Sequence, residues 1–252
     1  MKLALYQGHS PGPNLDLALT QTESALTAAA SLGAAALVLP EIWLQGYNQP
    51  DIPARAIPLD SAPMHRLAEA AKNSKTALVI GYAERHGPTT YNSAACFGPD
   101  GALLANYRKI QLYGSREKSL YTPGDAYVTF QLGSEKAALL ICYDVEFAPH
   151  VKALADRGVT TILTPTANMQ PFAHVSRHTV PTMAANHAVT IAYANFCGSE
   201  GDLTYVGGSL IAGPNGDILA QAGPTPTLLI TDIPSRDQPF HYDQSADLRV
   251  IK

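Results

Sequence analysis

Three apolar runs in this sequence end on groups that can do covalent chemistry or move a proton. The run A-A-A-L-V-L-P stops at Glu41, A-L-L-A-N-Y-R stops at Lys109, and A-A-L-L-I stops at Cys142, with Tyr143 and Asp144 directly after it. A cysteine nucleophile reacts as its thiolate, so a neighbouring group must take the proton. A carboxylate can be that base when a desolvated site lifts its pKa towards neutrality. An ammonium beside the two can neutralise the oxyanion that forms when sulfur attacks a carbonyl carbon. Cysteine, glutamate and lysine together point to acyl transfer from an amide or nitrile. Taken singly, each has a plainer reading: Cys142 as a small core hydrophobe, Glu41 as a cap, Lys109 beside Arg108 as a solvated charge. Their conjunction carries the chemical reading.

The elements that must position these groups alternate between strand and helix. Strand-like runs fall at Lys2–Gln7, Ala36–Leu39, Ala77–Tyr82, Asn92–Phe97, Leu103–Tyr107, Ala137–Ile141, Thr160–Thr164, Val189–Ala194, Ser209–Ala212 and Leu228–Ile233. Helical patterns occupy Leu15–Leu32, Met64–Ser74, His150–Asp156 and Arg177–His187. The pattern predicts a layered α/β protein in which catalytic groups collect at the carboxyl ends of parallel strands. G-P-D-G at Gly98–Gly101 and G-P-N-G at Gly213–Gly216 each predict a hairpin, so the sheet should be mixed. No linker or low-complexity tract divides residues 1–252, which read as a single domain with a polar tail over Pro234–Lys252.

Composition excludes several classes of function. The 252 residues carry a formal net charge of −4, which argues against a nucleic-acid binder. No apolar run approaches the roughly 18 residues a membrane span requires, and the short apolar start at Met1–Gln7 lacks a signal-peptide core. A cytoplasmic protein is expected. Cys96, Cys142 and Cys197 lie far apart, without the spacing of a zinc site or a disulfide framework. His174 and His178 have an i, i+4 spacing, but Val175 stands where a metalloprotease helix has glutamate, so no metal is expected. Phosphate-binding glycine motifs are missing too, and no cofactor is expected.

The segments L-P-E-I-W-L-Q-G-Y (Leu39–Tyr47), Y-R-K-I-Q-L-Y-G (Tyr107–Gly114) and L-I-C-Y-D-V-E-F (Leu140–Phe147) resemble, in order, the three signature blocks of the nitrilase superfamily of carbon–nitrogen hydrolases. The resemblance implies an α-β-β-α sandwich of two mixed sheets, usually paired as a homodimer or higher homo-oligomer. It implies Glu41 as general base, Lys109 as oxyanion-stabilising group and Cys142 as nucleophile, with the Tyr143 N–H a second oxyanion donor. The segment S-R-E-K-S-L-Y-T-P-G (Ser115–Gly124) resembles the family's lysine-orienting stretch and puts that role on Glu117. T-P-T-A-N-M (Thr164–Met169) and A-Y-A-N-F-C-G (Ala192–Gly198) are similar to the small aliphatic amidases.

Trp43, Tyr47, Tyr113, Tyr143, Asn168, Met169 and Phe172 flank these blocks as candidate pocket walls, and Tyr113, Tyr143 and Asn168 are taken as substrate-binding. The chain departs from its relatives after Phe147, where Ala148-Pro149-His150 replaces a P-E pair, and at Met183-Ala184-Ala185-Asn186-His187, where charged residues are usual. Joint loss of these charges is what replacement of one buried ion-pair network predicts. The expected activity is hydrolysis of a small primary amide to acid and ammonia through a cysteine thioester. A nitrilase or N-carbamoyl-amide hydrolase would use the same residues, and a catalytically silent binding protein would keep the same scaffold.

Overall fold

The computed structural model describes residues 1–234, with Asp247 and Arg249 beyond them. Apart from Pro234 and those two, the tail expected over Pro234–Lys252 lies outside the described residues. The first half of the chain runs β1 (Lys2–Gln7), α1 (Leu15–Ser31), β2 (Ala36–Val38), α2 (Ile52–Arg55), α3 (Ala62–Ser74), β3 (Ala77–His86), β4 (Thr89–Phe97), β5 (Leu103–Arg108) and α4 (Gly114–Leu120). The second half runs β6 (Thr129–Leu132), β7 (Glu135–Leu139), α5 (Ala148–Ala155), β8 (Thr161–Pro165), α6 (Val180–Asn186), β9 (Thr190–Ala194), β10 (Cys197–Glu200), β11 (Leu203–Val206), β12 (Leu210–Ala212), β13 (Ile218–Gln221) and β14 (Thr227–Asp232).

These strands form two six-stranded mixed sheets, ordered β14-β1-β2-β3-β4-β5 and β13-β12-β9-β8-β7-β6, with β10 and β11 as a separate ribbon. The period-2 alternation of side chains decides which residues meet. From the first sheet Leu3, Leu5, Val38, Val79, Cys96 and Tyr107 point inward to the core shared with Leu139, Ile162 and Ile191 of the second. Their neighbours Ala4, Leu37, Leu78, Ile80 and Phe97 point outward, against Leu19 and Leu26 of α1 and Met64 and Leu67 of α3. Each such leucine, removed from water, contributes about 1.5–3 kcal/mol. Val151 and Leu154 of α5 and Val180 and Ala184 of α6 join the core on the side of the second sheet. The single domain is an α-β-β-α sandwich.

Strand direction explains why the chemical groups converge. β1, β2 and β3 are parallel, β4 runs against β3, and β5 runs against β4, so β5 again points the way of β2. In the second sheet β7, β8 and β9 are parallel. Glu41, Lys109 and Cys142 therefore each follow the carboxyl end of a strand.

Both expected hairpins form. Gly98–Gly101 joins β4 to β5 with Gly101 at φ 81°, and Gly213–Gly216 joins β12 to β13 with Gly216 at φ 86°. The helix expected over Arg177–His187 is instead a π-turn, Val175–Thr179, followed by α6. Pro181 lacks the N–H an uninterrupted helix would need and sits in the first turn of α6, where that lack costs nothing. Four strands, β6, β10, β11 and β13, and two short helices, α2 and α4, go beyond the expected set.

Candidate active site

Cys142 opens a 3₁₀ turn, Cys142–Glu146, immediately after β7 and Ile141. Its backbone is left-handed, φ 46°, a conformation that costs a non-glycine residue of order 1–3 kcal/mol and must be held by its surroundings. Asp144 holds it. Its Oδ2 accepts the N–H of Ile141 at 3.0 Å and the hydroxyl of Tyr107 at 2.8 Å, and its Oδ1 accepts the N–H of Gln111 at 2.7 Å. The buried aspartate thus ties the turn that carries Cys142 to both flanks of Lys109.

Lys109 is fully buried with its ammonium between two carboxylates, 2.7 Å from Glu41 Oε1 and 2.8 Å from Glu117 Oε1. Burial works against its charge, but Glu117 and Glu41 outweigh it and hold the ammonium well above the ordinary lysine pKa. Glu117 is fixed in turn, since Tyr47 donates its hydroxyl to Oε1 at 2.7 Å and the Tyr113 N–H donates to Oε2 at 2.8 Å. Glu41 Oε1 also accepts Asn92 Nδ2 at 2.6 Å, whereas its buried Oε2 has no hydrogen-bond partner among the described residues. Burial pushes the Glu41 carboxyl up to about 7, with Lys109 pulling against it and Glu117 adding to it. The Cys142 thiol is also pushed well up, chiefly by burial and then by the Glu41 charge, while Lys109, Thr166 and the Ala167 N–H favour its thiolate. One cation among three acidic groups leaves room for a single mobile proton between Glu41 and Cys142.

A cavity of about 260 Å³ opens onto Cys142. Its walls are Tyr47, Tyr113, Tyr143, Glu146, Asn168, Met169, Phe172 and His174. Asn168 is buried and braced, its N–H donating to Asn195 Oδ1 at 2.8 Å and its Nδ2 to the Phe172 carbonyl at 3.0 Å. The structure thus brings Glu41, Lys109, Glu117 and Cys142 into one cluster and places Tyr113, Tyr143 and Asn168 on the wall above it. Trp43 goes elsewhere: it is a core residue, stacked on Phe196 with Nε1 donating to Thr22 Oγ1 at 3.0 Å. Sequence reasoning missed Asn92, Thr166 and Glu146, and it weighed His174 only as half of a metal pair. At the departure after Phe147, His150 hydrogen-bonds Tyr127 at 2.6 Å and Gln111 at 2.9 Å, so side-chain hydrogen bonds occupy the place of the missing charge.

The family described as carbon-nitrogen hydrolase matches residues 2–240. The chain belongs to this family, whose members hydrolyse non-peptide carbon–nitrogen bonds. It is 37% identical over 234 residues to a hydrolase encoded in the pqqF 5' region of Pseudomonas protegens, covering 91% of this chain and 81% of that protein. It is 33% identical over 189 residues to an (R)-stereoselective amidase of a Pseudomonas species, covering 74% of this chain and 68% of that one. A glutamate-to-glutamine variant of the amidase from Nesterenkonia sp. AN1, whose active-site cysteine carries acrylamide after Michael addition, superposes with a TM-score of 0.86 at 34% identity, covering 93% of each chain.

Proposed function

We propose that this protein is a thiol-dependent amidase that converts a small primary amide to a carboxylic acid and ammonia. The observation that carries this reading is the Lys109 ammonium clasped by Glu41 and Glu117 beside an aromatic-lined pocket that opens onto Cys142. Glu41, through its unpartnered Oε2, takes the Cys142 proton as sulfur attacks the amide carbon. Lys109 and the Tyr143 N–H then receive the charge that develops on the carbonyl oxygen. As the tetrahedral intermediate collapses, the carbon–nitrogen bond breaks, Glu41 returns the proton to nitrogen, and ammonia leaves a thioester. Water, deprotonated by Glu41, attacks the thioester and releases the acid with the thiol restored. Glu117 touches no reacting atom in this scheme and positions Lys109.

The cavity size favours short acyl chains, in keeping with relatives that are amidases. The enzyme is read as acting in the cytoplasm, in line with its three free cysteines, and as a homodimer, in line with the pairing usual in its family. Among the described residues, no helix is long and apolar enough to cross a membrane.

Ammonia release is the test, with wild type and Cys142→Ala on short primary amides, matched nitriles and N-carbamoyl compounds. Release from amides, lost in the variant, supports the reading. Turnover of nitriles or carbamoyl compounds alone would move it to those reactions, and turnover in Cys142→Ala would overturn the mechanism.

A further inference from the structure

Asn92 of β4 touches both Glu41 and Lys109. Its Nδ2 donates to Glu41 Oε1 at 2.6 Å, and its backbone carbonyl accepts the Lys109 N–H at 2.8 Å. The Lys109 ammonium donates to the same Glu41 oxygen at 2.7 Å. A carboxylate oxygen offers two lone pairs, so these two donors fill Oε1. Oε2 is buried and has no hydrogen-bond partner among the described residues. Two neighbours thus make the ends of one carboxylate unequal.

The Asn92 side chain is not needed to hold its strand. It is buried, and its Oδ1 has no hydrogen-bond partner among the described residues. A buried polar atom left unpaired destabilises a fold, and an apolar side chain of similar size would avoid that loss. The next step along the same strands has its own anchor. Ser93 pairs with Arg108 across β4 and β5, and Ser93 Oγ and Arg108 Nε both donate to Glu84 Oε2, at 2.7 and 3.0 Å. Strand alternation sends Asn92 and Lys109 to Glu41 on one face and Ser93 and Arg108 to Glu84 on the other. The register of β4 on β5 is therefore fixed without the Asn92 amide, whose contact with Glu41 is left to serve the site.

Resting on the amidase reading, we propose that Asn92 is a positioning residue that, together with Lys109, fills Oε1 of Glu41 and so makes Oε2 the one oxygen that takes the Cys142 proton. The S–H bond breaks, an O–H bond forms at Oε2, and the electron pair left on sulfur makes the bond to the amide carbon. When the carbon–nitrogen bond breaks, the same proton passes from Oε2 to the departing nitrogen. With Oε1 only half filled, the proton gains a second resting place and the carboxyl a second orientation, and each draws it away from sulfur and nitrogen. The titratable groups around Glu41 are Lys109 after β5, Glu117 on α4 and Cys142 on its turn, with Tyr47, Tyr121, Tyr193 and Tyr205 within electrostatic reach. Burial raises the Glu41 carboxyl, Lys109 pulls against that, Glu117 adds to it, and the Asn92 N–H pulls against it. Removing the Asn92 donor therefore raises the carboxyl further.

The experiment measures kcat and KM for pentanamide from pH 5 to pH 10 in wild type, Asn92→Leu, Asn92→Ala and Ser93→Ala. Leucine keeps the volume of Asn92, alanine removes the same donor without adding bulk, and Ser93→Ala loosens the same strand from its other face. In the Asn92 variants the midpoint of the acid limb of kcat/KM moves up by about one pH unit or more. On the plateau kcat falls about tenfold while KM changes less than about threefold. Ser93→Ala leaves the midpoint within about 0.3 unit of wild type. A midpoint that stays within about 0.3 unit in both Asn92 variants, whatever happens to kcat, would overturn the proposal, make Asn92 a packing residue and leave the amidase reading intact. If wild type releases ammonia from no short primary amide, the amidase reading fails. Alkylation of Cys142 by iodoacetamide, read by mass spectrometry over the same pH range, then decides the role of Asn92 alone. An acid limb of alkylation that moves up in Asn92→Leu upholds it. A limb that does not move, or a wild-type Cys142 that is not alkylated, overturns it.

Discussion

The Tyr107 hydroxyl donates to Asp144 Oδ2 at 2.8 Å, joining the strand that delivers Lys109 to the turn that delivers Cys142. The two residues come from different sheets, so this bond fixes the spacing of Cys142 and Lys109 across the core. Tyr107→Phe keeps the ring and its packing but leaves a buried carboxylate oxygen with the Ile141 N–H alone. A stability loss of about 1–3 kcal/mol is expected from urea denaturation. A fall in kcat larger than the change in KM is expected with it, because the geometry of the transition state is what loosens. Unchanged kcat in a destabilised protein would assign the bond to folding only.

The pH dependence of activity on an uncharged amide should rise through neutrality and then stay level. Glu41 must be ionised to take the thiol proton, and burial pushes its carboxyl up to about 7. Below that value the base is already protonated and kcat/KM falls about tenfold per pH unit. Lys109 is held well above the ordinary lysine value, so no loss of its charge is expected up to about pH 10. The apparent pKa belongs to the coupled Glu41, Lys109, Glu117 and Cys142 cluster. A profile of kcat/KM for pentanamide from pH 5 to pH 10 checks this, and a level rate down to pH 5 would remove Glu41 as the base.

Much of this site was legible because the fold rule that strand ends gather chemistry applies to strongly apolar runs, and Glu41, Lys109 and Cys142 each terminate one. Asn92 escaped because its contact with Glu41 comes from the lateral order β2-β3-β4, which brings residues 51 apart in sequence to 2.6 Å. Glu146 escaped because an exposed charge at the end of the C-Y-D-V-E block and a pocket charge look alike until the turn's direction is known. β10 and β11 were missed because C-G-S-E and L-T-Y-V are too short and too mixed to show alternation. The π-turn before α6 left no mark in periodicity that a continuous helix would not also leave.

Gly81 in β3 is a packing requirement of Glu41. A Cβ there would meet the Pro40 carbonyl oxygen and approach the Glu41 Cα and the Ile42 N within 2.7 Å, all backbone atoms that cannot rotate away. Strand glycines mark such close approaches. Gly81→Ala should therefore displace Glu41, with a loss of several kcal/mol of stability and about 10²-fold or more in kcat. Denaturation and steady-state kinetics on the purified variant test it, with Gly87→Ala, where nothing stands within 4 Å but φ is 58°, separating backbone strain from the displacement of Glu41. Equal kinetic defects in both would refute the packing argument.

Glu117 and Tyr47 form the support behind Lys109, and their removal should be graded. Glu117→Gln keeps a side-chain oxygen for Lys109 or for the Tyr113 N–H but removes one of two charges holding the ammonium. A fall in kcat of about 10²-fold is expected, the order seen when one electrostatic contributor to the oxyanion site is lost. Tyr47→Phe removes only the 2.7 Å bond to Glu117 Oε1 and should cost about tenfold or less. Because both act through Lys109, the double variant should lose less than the product of the two single losses. Independent, multiplicative effects would show that Tyr47, which also lines the cavity, contacts the substrate directly instead.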